Sequence, residues 1–409
     1  MTKKINLVYV RVTYNKQPIS NNYNLNYNAN TNVDPHLHLR LPSVQIHLES
    51  KLPDNIFLYE LNWDYGKSHQ GFFDEVLAPG NIPVSILDRL QEKTAFLLLT
   101  VLHEGWATDP FFTLIHESFL NAKIPLSQII YVSNCFNIAS LYCEYCERHN
   151  IIPEIKNEYC PTFRIDRTDV EDIVTDPSKY LPGLRKKTFL CFNRRFSDHR
   201  LLFYMLIEKH ELLDHFFFSM SQDQPESSSN FLTNAPDLTR RYPEFKITME
   251  DIVRSNYKLP LVLDSPNFNK YPMEQQPMGM KKYYVDSLIN IVSETYFFNN
   301  IIHITEKTYK PVAFMQPFIM LAAPFSLKHI RDMGFKTFND FWDESYDEES
   351  DHVVRMNKIF NLVSTISKWS DWDKINFSHR VSAILKYNKE HLKKIKNIEM
   401  EQFVEKYGT

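Results

Sequence analysis

Glycine is scarce. Only 8 of the 409 residues are glycine, roughly 2% against about 7% in ordinary proteins. They stand at positions 66, 71, 80, 105, 183, 279, 334 and 408, and no two are separated by a single residue. A G-x-G-x-x-G dinucleotide turn is therefore excluded, and so is a G-x-x-x-x-G-K-[ST] phosphate loop. Gly66-Lys67-Ser68 has the tail of such a loop, but Leu61 stands where its first glycine belongs. Cysteine is also sparse: five residues, an odd number, which fits a reducing compartment better than a disulfide framework. A large excess of either charge is missing too, since the net charge is −4 and the isoelectric point about 6.4, so no protein-wide basic field advertises nucleic acid. No apolar window approaches a membrane span. The opening MTKKINLVYVRVTYNK lacks the apolar core and small-residue cleavage site of a signal peptide. A cytoplasmic location is expected, the host cytoplasm if the source is viral.

What is present is ample apolar material, 43% of residues, enough for about two to three domains at this length. INLVYVRVTY, IFLYELN (56–62), AFLLLTVL (95–102) and IIYVSN (129–134) read as strands, with helical periodicity between the last two. Fully apolar strands separated by helices predict a parallel sheet covered on both faces. Residues 14–40, rich in asparagine, read as an irregular excursion. The charged, Pro-containing stretch 166–187 reads as a connection between domains. The pattern then restarts with KTFLCFN (187–193), HFFFSM (215–220), LPLVLD (259–264), SLINIVSET (287–295) and PFIMLAA (317–323), while 221–256 reads as polar loop. The expected fold is α/β with two Rossmann-like lobes: an acceptor-side lobe at 1–165, a linker at 166–187, a nucleotide-sugar lobe at 188–345 and a helical tail at 346–409.

Ligands of such sheets bind beyond the carboxyl ends of the strands. Three groups of residues stand there. His103-Glu104-Gly105-Trp106 follows the AFLLLTV strand and offers a carboxylate and an imidazole as general bases. Asn193-Arg194-Arg195 ends the KTFLCFN strand, with Arg200 on the following helix. Guanidinium forks and a helix N-terminus together suit a diphosphate without any glycine-rich loop. The third group is Ser293-Glu294-Thr295, then Ile304-Thr305-Glu306-Lys307, then Gln316-Pro317. Here Lys307 suits a phosphate, and Glu294 or Glu306 suits sugar hydroxyls.

The segment ETYFFNNIIHITEKTYKPVAFMQPFIMLAAP resembles the donor-binding segment of the α1,3-fucosyltransferases, over roughly residues 290–324. That family runs Glu-Asn-Ser, a short gap, Ile/Val-Thr-Glu-Lys, a helix and a Pro-led apolar strand. It also places a phosphate-binding arginine at a turn like Asn193–Arg200, and Glu-Gly-Trp at 104–106 parallels its acceptor-side glutamate. The resemblance implies a two-lobed GT-B-like fold and inverting transfer without an essential metal or cofactor. By the same resemblance Lys307 and Arg195 or Arg200 hold the diphosphate, Glu294 and Glu306 the ribose or sugar, and Glu104 is the base. Thr295 departs from the family's Asn, the gap to Thr305 is about two residues longer, and Pro311 interrupts the helix. These departures bear on the sugar more than on the nucleotide-sugar role.

The expected activity is therefore glycosyl transfer from a nucleotide-diphosphate sugar to an acceptor hydroxyl. The acceptor is a glycan or, in a viral DNA-modifying enzyme, a hydroxylated DNA base. A non-catalytic binding protein on the same fold is the other alternative. Asp371-Trp372-Asp373 has the D-x-D pattern of metal-dependent transferases, but it sits in the helical tail. His36-x-His38 and Cys143-x-x-Cys146 have metal-ligand spacing without a second ligand pair. Arg240-Arg241 and Lys281-Lys282 read as solvated loop charges, and the basic KEHLKKIKN as a helix face.

Overall fold

The computed structural model describes residues 5–9, 44–47, 57–62, 68–79, 81–101, 105–159, 183–193, 197–220, 231–259, 261, 263 and 277–407. The excursion at 14–40, most of the 166–187 connection and His36-x-His38 lie outside these. Internal contacts divide the chain into two units, Met1–Phe163 with Lys396–Thr409, and Arg164–Ile395.

The first unit carries strands β1 (Ile5–Tyr9), β2 (Val44–His47), β3 (Phe57–Asn62), β4 (Ala95–Val101), β5 (Ile129–Ser133) and β6 (Lys156–Tyr159). They form one all-parallel sheet in the order β2-β1-β3-β4-β5-β6. Helices α1 (His69–Val76), α2 (Val84–Gln91), α3 (Asp109–Asn121) and α4 (Ile138–His149) connect them. β5 is buried along its whole length, and β4 nearly so. That is why both read as unbroken apolar runs rather than alternating ones. β6, with the sequence KNEY, has no apolar signal and was not expected as a strand; it is the half-exposed edge of the sheet.

The second unit repeats the plan with β7 (Lys187–Asn193), β8 (Phe216–Met220), β9 (Ser287–Ser293) and β10 (Phe318–Leu321), all parallel, in the order β8-β7-β9-β10. Its helices are α5 (Asp198–Lys209), α6 (Phe231–Arg241), α7 (Met249–Tyr257), α8 (Pro277–Asp286), α9 (Glu306–Ala313) and α10 (Ser326–Asp332). The tail adds α11 (His352–Ser367) and the long α12 (Asp371–Tyr407). This is the α/β architecture, two parallel-sheet units with a helical C-terminal region, that the sequence pattern predicts. Among the described residues no helix is long and apolar enough to cross a membrane.

Three expectations are corrected. Residues 231–257 are helical, not loop: Phe231, Ala235 and Leu238 are buried at i, i+4, i+7. Thr248 and Asp251 close a reciprocal capping box at the start of α7. Arg240-Arg241 accordingly ends a helix, where the local dipole favours cations, and Arg241 pairs with Asp198 at 2.8 Å and Asp237 at 3.0 Å. Pro311 does not interrupt α9, which continues to Ala313. Its ring forfeits only the bond to Lys307, one of the first residues of a short helix that is capped at Thr305.

Candidate functional site

The order β8-β7-β9-β10 fixes where a site forms. The chain leaves β7 for β8 on one side, then returns to the other side of β7 to lay down β9. Strand order reverses between β7 and β9, and the ligand crevice of an open α/β sheet is expected beyond the carboxyl ends of two such strands. Their recorded register runs from Lys187↔Ser287 to Leu190↔Asn290. Past that point each strand stays paired with its outer neighbour, β7 through Asn193↔Met220 and β9 through Leu321↔Ser293.

Glu294, the residue after β9, is the hub of this crevice. It is 1% exposed, and its two ends are held from two helices. Its backbone carbonyl accepts from Arg200 Nη2 at 3.3 Å and lies 2.9 Å from His199 Nε2, both in the first turn of α5. Arg200 Nη2 also donates to the Ser293 carbonyl at 3.0 Å. The Glu294 carboxylate receives the Thr305 N–H at 3.0 Å and the Thr305 and Thr308 hydroxyls at 2.6 Å each. One residue thus fixes the N-termini of α5 and α9 to the same strand end.

The imidazole of His199 is neutral. Burial, then the charge of Arg200, holds its pKa far below the usual histidine range. Because a carbonyl can only accept, Nε2 carries the proton, and Nδ1 accepts from the Ser197 hydroxyl at 3.1 Å. Its ring lies parallel to Phe297 at 5.5 Å. Arg355, from α11, donates to the Phe297 carbonyl and sits 4.5 Å over the Phe297 ring. Carbonyls 293, 294 and 297 are therefore all clamped by donors.

Thr305 is the N-cap of α9: its hydroxyl oxygen accepts from the Lys307 N–H at 3.2 Å and from Lys307 Nζ at 3.1 Å. Lys307 Nζ also lies 3.3 Å from the Glu306 carboxylate. The Lys307 side chain is 31% exposed, so the ammonium held by Thr305 and Glu306 belongs to a side chain that solvent still reaches. Asn193 ends β7, 2% exposed. Its amide NH2 donates to Cys191 Sγ at 3.3 Å, while its Oδ1 has no hydrogen-bond partner. Gln316 is structural: it accepts from the Asn290 amide and donates to Ser287 Oγ, tying β9 to the start of β10.

The structure brings Asn193, Arg200, Glu294, Thr305, Glu306 and Lys307 to one end of one sheet. Arg194, Arg195, His103 and Glu104 lie outside the described residues. Neighbouring Trp106 is placed beyond β4, its ring 4.0 Å from that of His69 and its carbonyl accepting from Tyr131. His199, Thr308 and Arg355 were not singled out as site residues. Only their long-range partners reveal them: His199 reaches a carbonyl 95 residues away. Asp371-Trp372-Asp373 opens α12, where Asp373 and Ser370 exchange capping hydrogen bonds. Among the described residues no group of three histidine, cysteine or acidic side chains is arranged to hold a metal.

No family model matches the chain, and no curated protein sequence matches it significantly. Among solved structures it is similar to the N-terminal domain of trehalose-6-phosphate phosphatase from Candida albicans, at 10% identity and a TM-score of 0.43, covering 100% of this chain and 99% of that one. It is also similar to a glycosyltransferase from Rickettsia africae, at 13% identity and a TM-score of 0.34, covering 97% and 100%.

Proposed function

We propose that the protein is a glycosyltransferase that moves a sugar from a nucleoside diphosphate sugar to an acceptor hydroxyl, with inversion. The observation that carries this reading is the double grip on Glu294. It places two helix N-termini, the Arg200 guanidinium and the Lys307 ammonium around the point where strand order reverses. Helix N-termini and fixed cations at a strand-order reversal suit a diphosphate. The fucosyltransferase-like segment 290–324 supports the same assignment.

In this reading Lys307, Arg200, Arg194 and Arg195 hold the donor diphosphate. The carboxylate of Glu306 accepts from a donor hydroxyl. Glu294 positions the two helices, since protein donors occupy both its oxygens. Glu104, or His103 beside it, takes the proton of the acceptor hydroxyl. That oxygen bonds to the anomeric carbon as the bond from this carbon to the diphosphate breaks, and the electron pair leaves on the phosphate oxygen. Lys307 and the guanidinium groups stabilise the charge that develops there.

The test has two arms. A panel of nucleoside diphosphate sugars should contain at least one that raises the melting temperature of the wild type, and that donor should be turned over. Lys307→Ala should lose turnover by about a hundredfold or more while unfolding like the wild type. Full activity in Lys307→Ala, or no thermal response to any donor, sinks the assignment.

A further inference from the structure

α7 turns its apolar side to solvent. A helix on the surface of an α/β unit is expected to bury an apolar stripe and to show a polar one. The residues that α7 buries, packing against α5 and α6, are Asp251, Ile252 and Ser255, and only Ile252 is apolar. The large residues it exposes are Met249, Val253 and Tyr257, at 60%, 45% and 83%. They recur at i, i+4 and i+8, so they form one ridge along the helix. Exposed apolar residues scattered singly are ordinary, whereas contiguous ones mark an interaction surface.

The ridge stands on a helix that is fixed in place. Thr248 and Asp251 cap its start, the Ser255 carbonyl accepts from the Tyr204 hydroxyl at 2.8 Å, and Lys258 pairs with the buried Glu208 at 2.7 Å. Its outward apolar side is therefore built into the fold and does not come from fraying.

Two charged residues decide what fits the ridge. Glu250 and Arg254 are one turn apart on the same edge of it, the edge on the Tyr257 side. Glu250 is exposed. Arg254 gives Nη2 to Asp251 at 2.9 Å, and its side chain is 41% exposed, so its fork keeps further N–H groups for a second carboxylate. Along the chain the acid precedes the base. A second α7 running antiparallel reverses that order, and the two-fold axis that relates the copies keeps the same edges together. An axis at Val253 sets Glu250 of each copy beside Arg254 of the other. It also brings Met249 towards Tyr257 of the other copy, a favourable sulfur–aromatic pair, and Val253 against its own counterpart. Every such contact is made twice.

We propose that α7 is a dimerisation surface, on which two copies of this chain pair their Met249–Val253–Tyr257 ridges antiparallel about a two-fold axis at Val253. A standard interface takes about 20–30 residues a side. This ridge and its charged edge supply far fewer, so the dimer is weak and its population follows protein concentration.

Sedimentation equilibrium of the full chain from about 1 μM to about 1 mM covers the dissociation constants of weak pairs. The wild type should pass from monomer to dimer within that range. Tyr257→Ser and Val253→Asp should each weaken association about tenfold or more. Glu250→Lys alone and Arg254→Glu alone should each weaken it too, since like charges then meet in both copies of the contact. Mixed in equal amounts, these two charge variants should associate with each other about as tightly as the wild type with itself, because every charge again meets its opposite. Urea unfolding checks that each variant folds. If Arg254→Glu does not, through loss of its pair with Asp251, Glu250→Lys tests the register alone. A wild type that stays monomeric to about 1 mM overturns the proposal, and so does a dimer that Tyr257→Ser and Val253→Asp leave unchanged. A dimer weakened by those two but indifferent to Glu250→Lys overturns the antiparallel register.

Discussion

The two helices that start at the carboxyl end of the second sheet are finished in opposite ways. At α9, Thr305 caps the first turn, and both Glu294 oxygens are filled by Thr305 and Thr308. At α5, Ser197 does not cap, while Asn193 and Ser293 beside it leave an oxygen each without a partner. Ser197 and Asp198 are half-buried where Thr305 is buried, but Asn193 and Ser293 lie as deep as Glu294, so burial alone does not explain the contrast. One turn is complete within the protein, and the other leaves polar atoms unsatisfied. Functional sites are where polar satisfaction is expected to fail.

Removing the hub should have the largest effect. Glu294→Ala strands three buried donors and unfastens α9. It should cost roughly 3 kcal/mol or more in urea unfolding, and the Lys307-dependent activity with it. A cost below about 1 kcal/mol would mean that α9 is held by its apolar face alone. The caps should then separate the two helices. Thr305→Ala should cost about 1–2 kcal/mol, as a working N-cap does, whereas Ser197→Ala should cost clearly less. Equal losses at the two caps would erase the contrast.

Acid should act on the α5 side through His199, and independently through His329 on α10. Burial lowers the pKa of both, that of His329 to about 3. Unfolding raises each toward about 6.5, so below that pH the unfolded chain binds more protons than the folded one. Stability is therefore unaffected by these groups at pH 7.5 and falls as pH drops below 6.5. The loss is about 1 kcal/mol per histidine by pH 5.5. The buried carboxyls of Glu344 and Asp347 run the other way: burial raises their pKa values, so they regain stability only as the solution becomes acid enough to protonate them in the fold. Denaturant midpoints at pH 7.5 and 5.5 read the sum, and a His329→Gln variant should show the smaller drop.

How far the sequence carried this picture depends on the kind of signal each element had. KTFLCFN and AFLLLTV are buried on both faces, so their apolar runs predict strands within a residue of those observed. Residues 231–257 failed because short helices interrupted by charge and by Pro236 look like loop until their buried positions are seen in three dimensions. β6 failed because an edge strand needs no apolar face. In the site, Asn193, Arg200, Glu294 and Lys307 were visible as polar and charged groups at strand ends. What they do for the fold was not visible. A carboxylate poised for a sugar and one consumed by Thr305 and Thr308 have the same letter, and only their distances differ. The missing cap on α5 was less legible still, because Ser197 followed by Asp198 reads as a good helix start. Its failure to cap arises from His199, which competes for the hydroxyl in order to reach Glu294.

The smallest effect is the most discriminating. If Asn193 served the fold, removing its amide would expose the cost of a lost hydrogen bond. Its one contact is a weak N–H···S bond, and its carbonyl oxygen is already unsatisfied. Asn193→Ala therefore removes a desolvation penalty, which the lost weak bond and the small cavity left behind offset. Unfolding free energy should change by less than about 0.5 kcal/mol, against the several expected at Glu294 on the neighbouring strand. Ser293→Ala should behave alike, since its hydroxyl is equally orphaned. Two buried polar residues that can be removed almost without cost to stability, one strand from a carboxylate that cannot, would locate where this sheet is organised for a ligand instead of for itself.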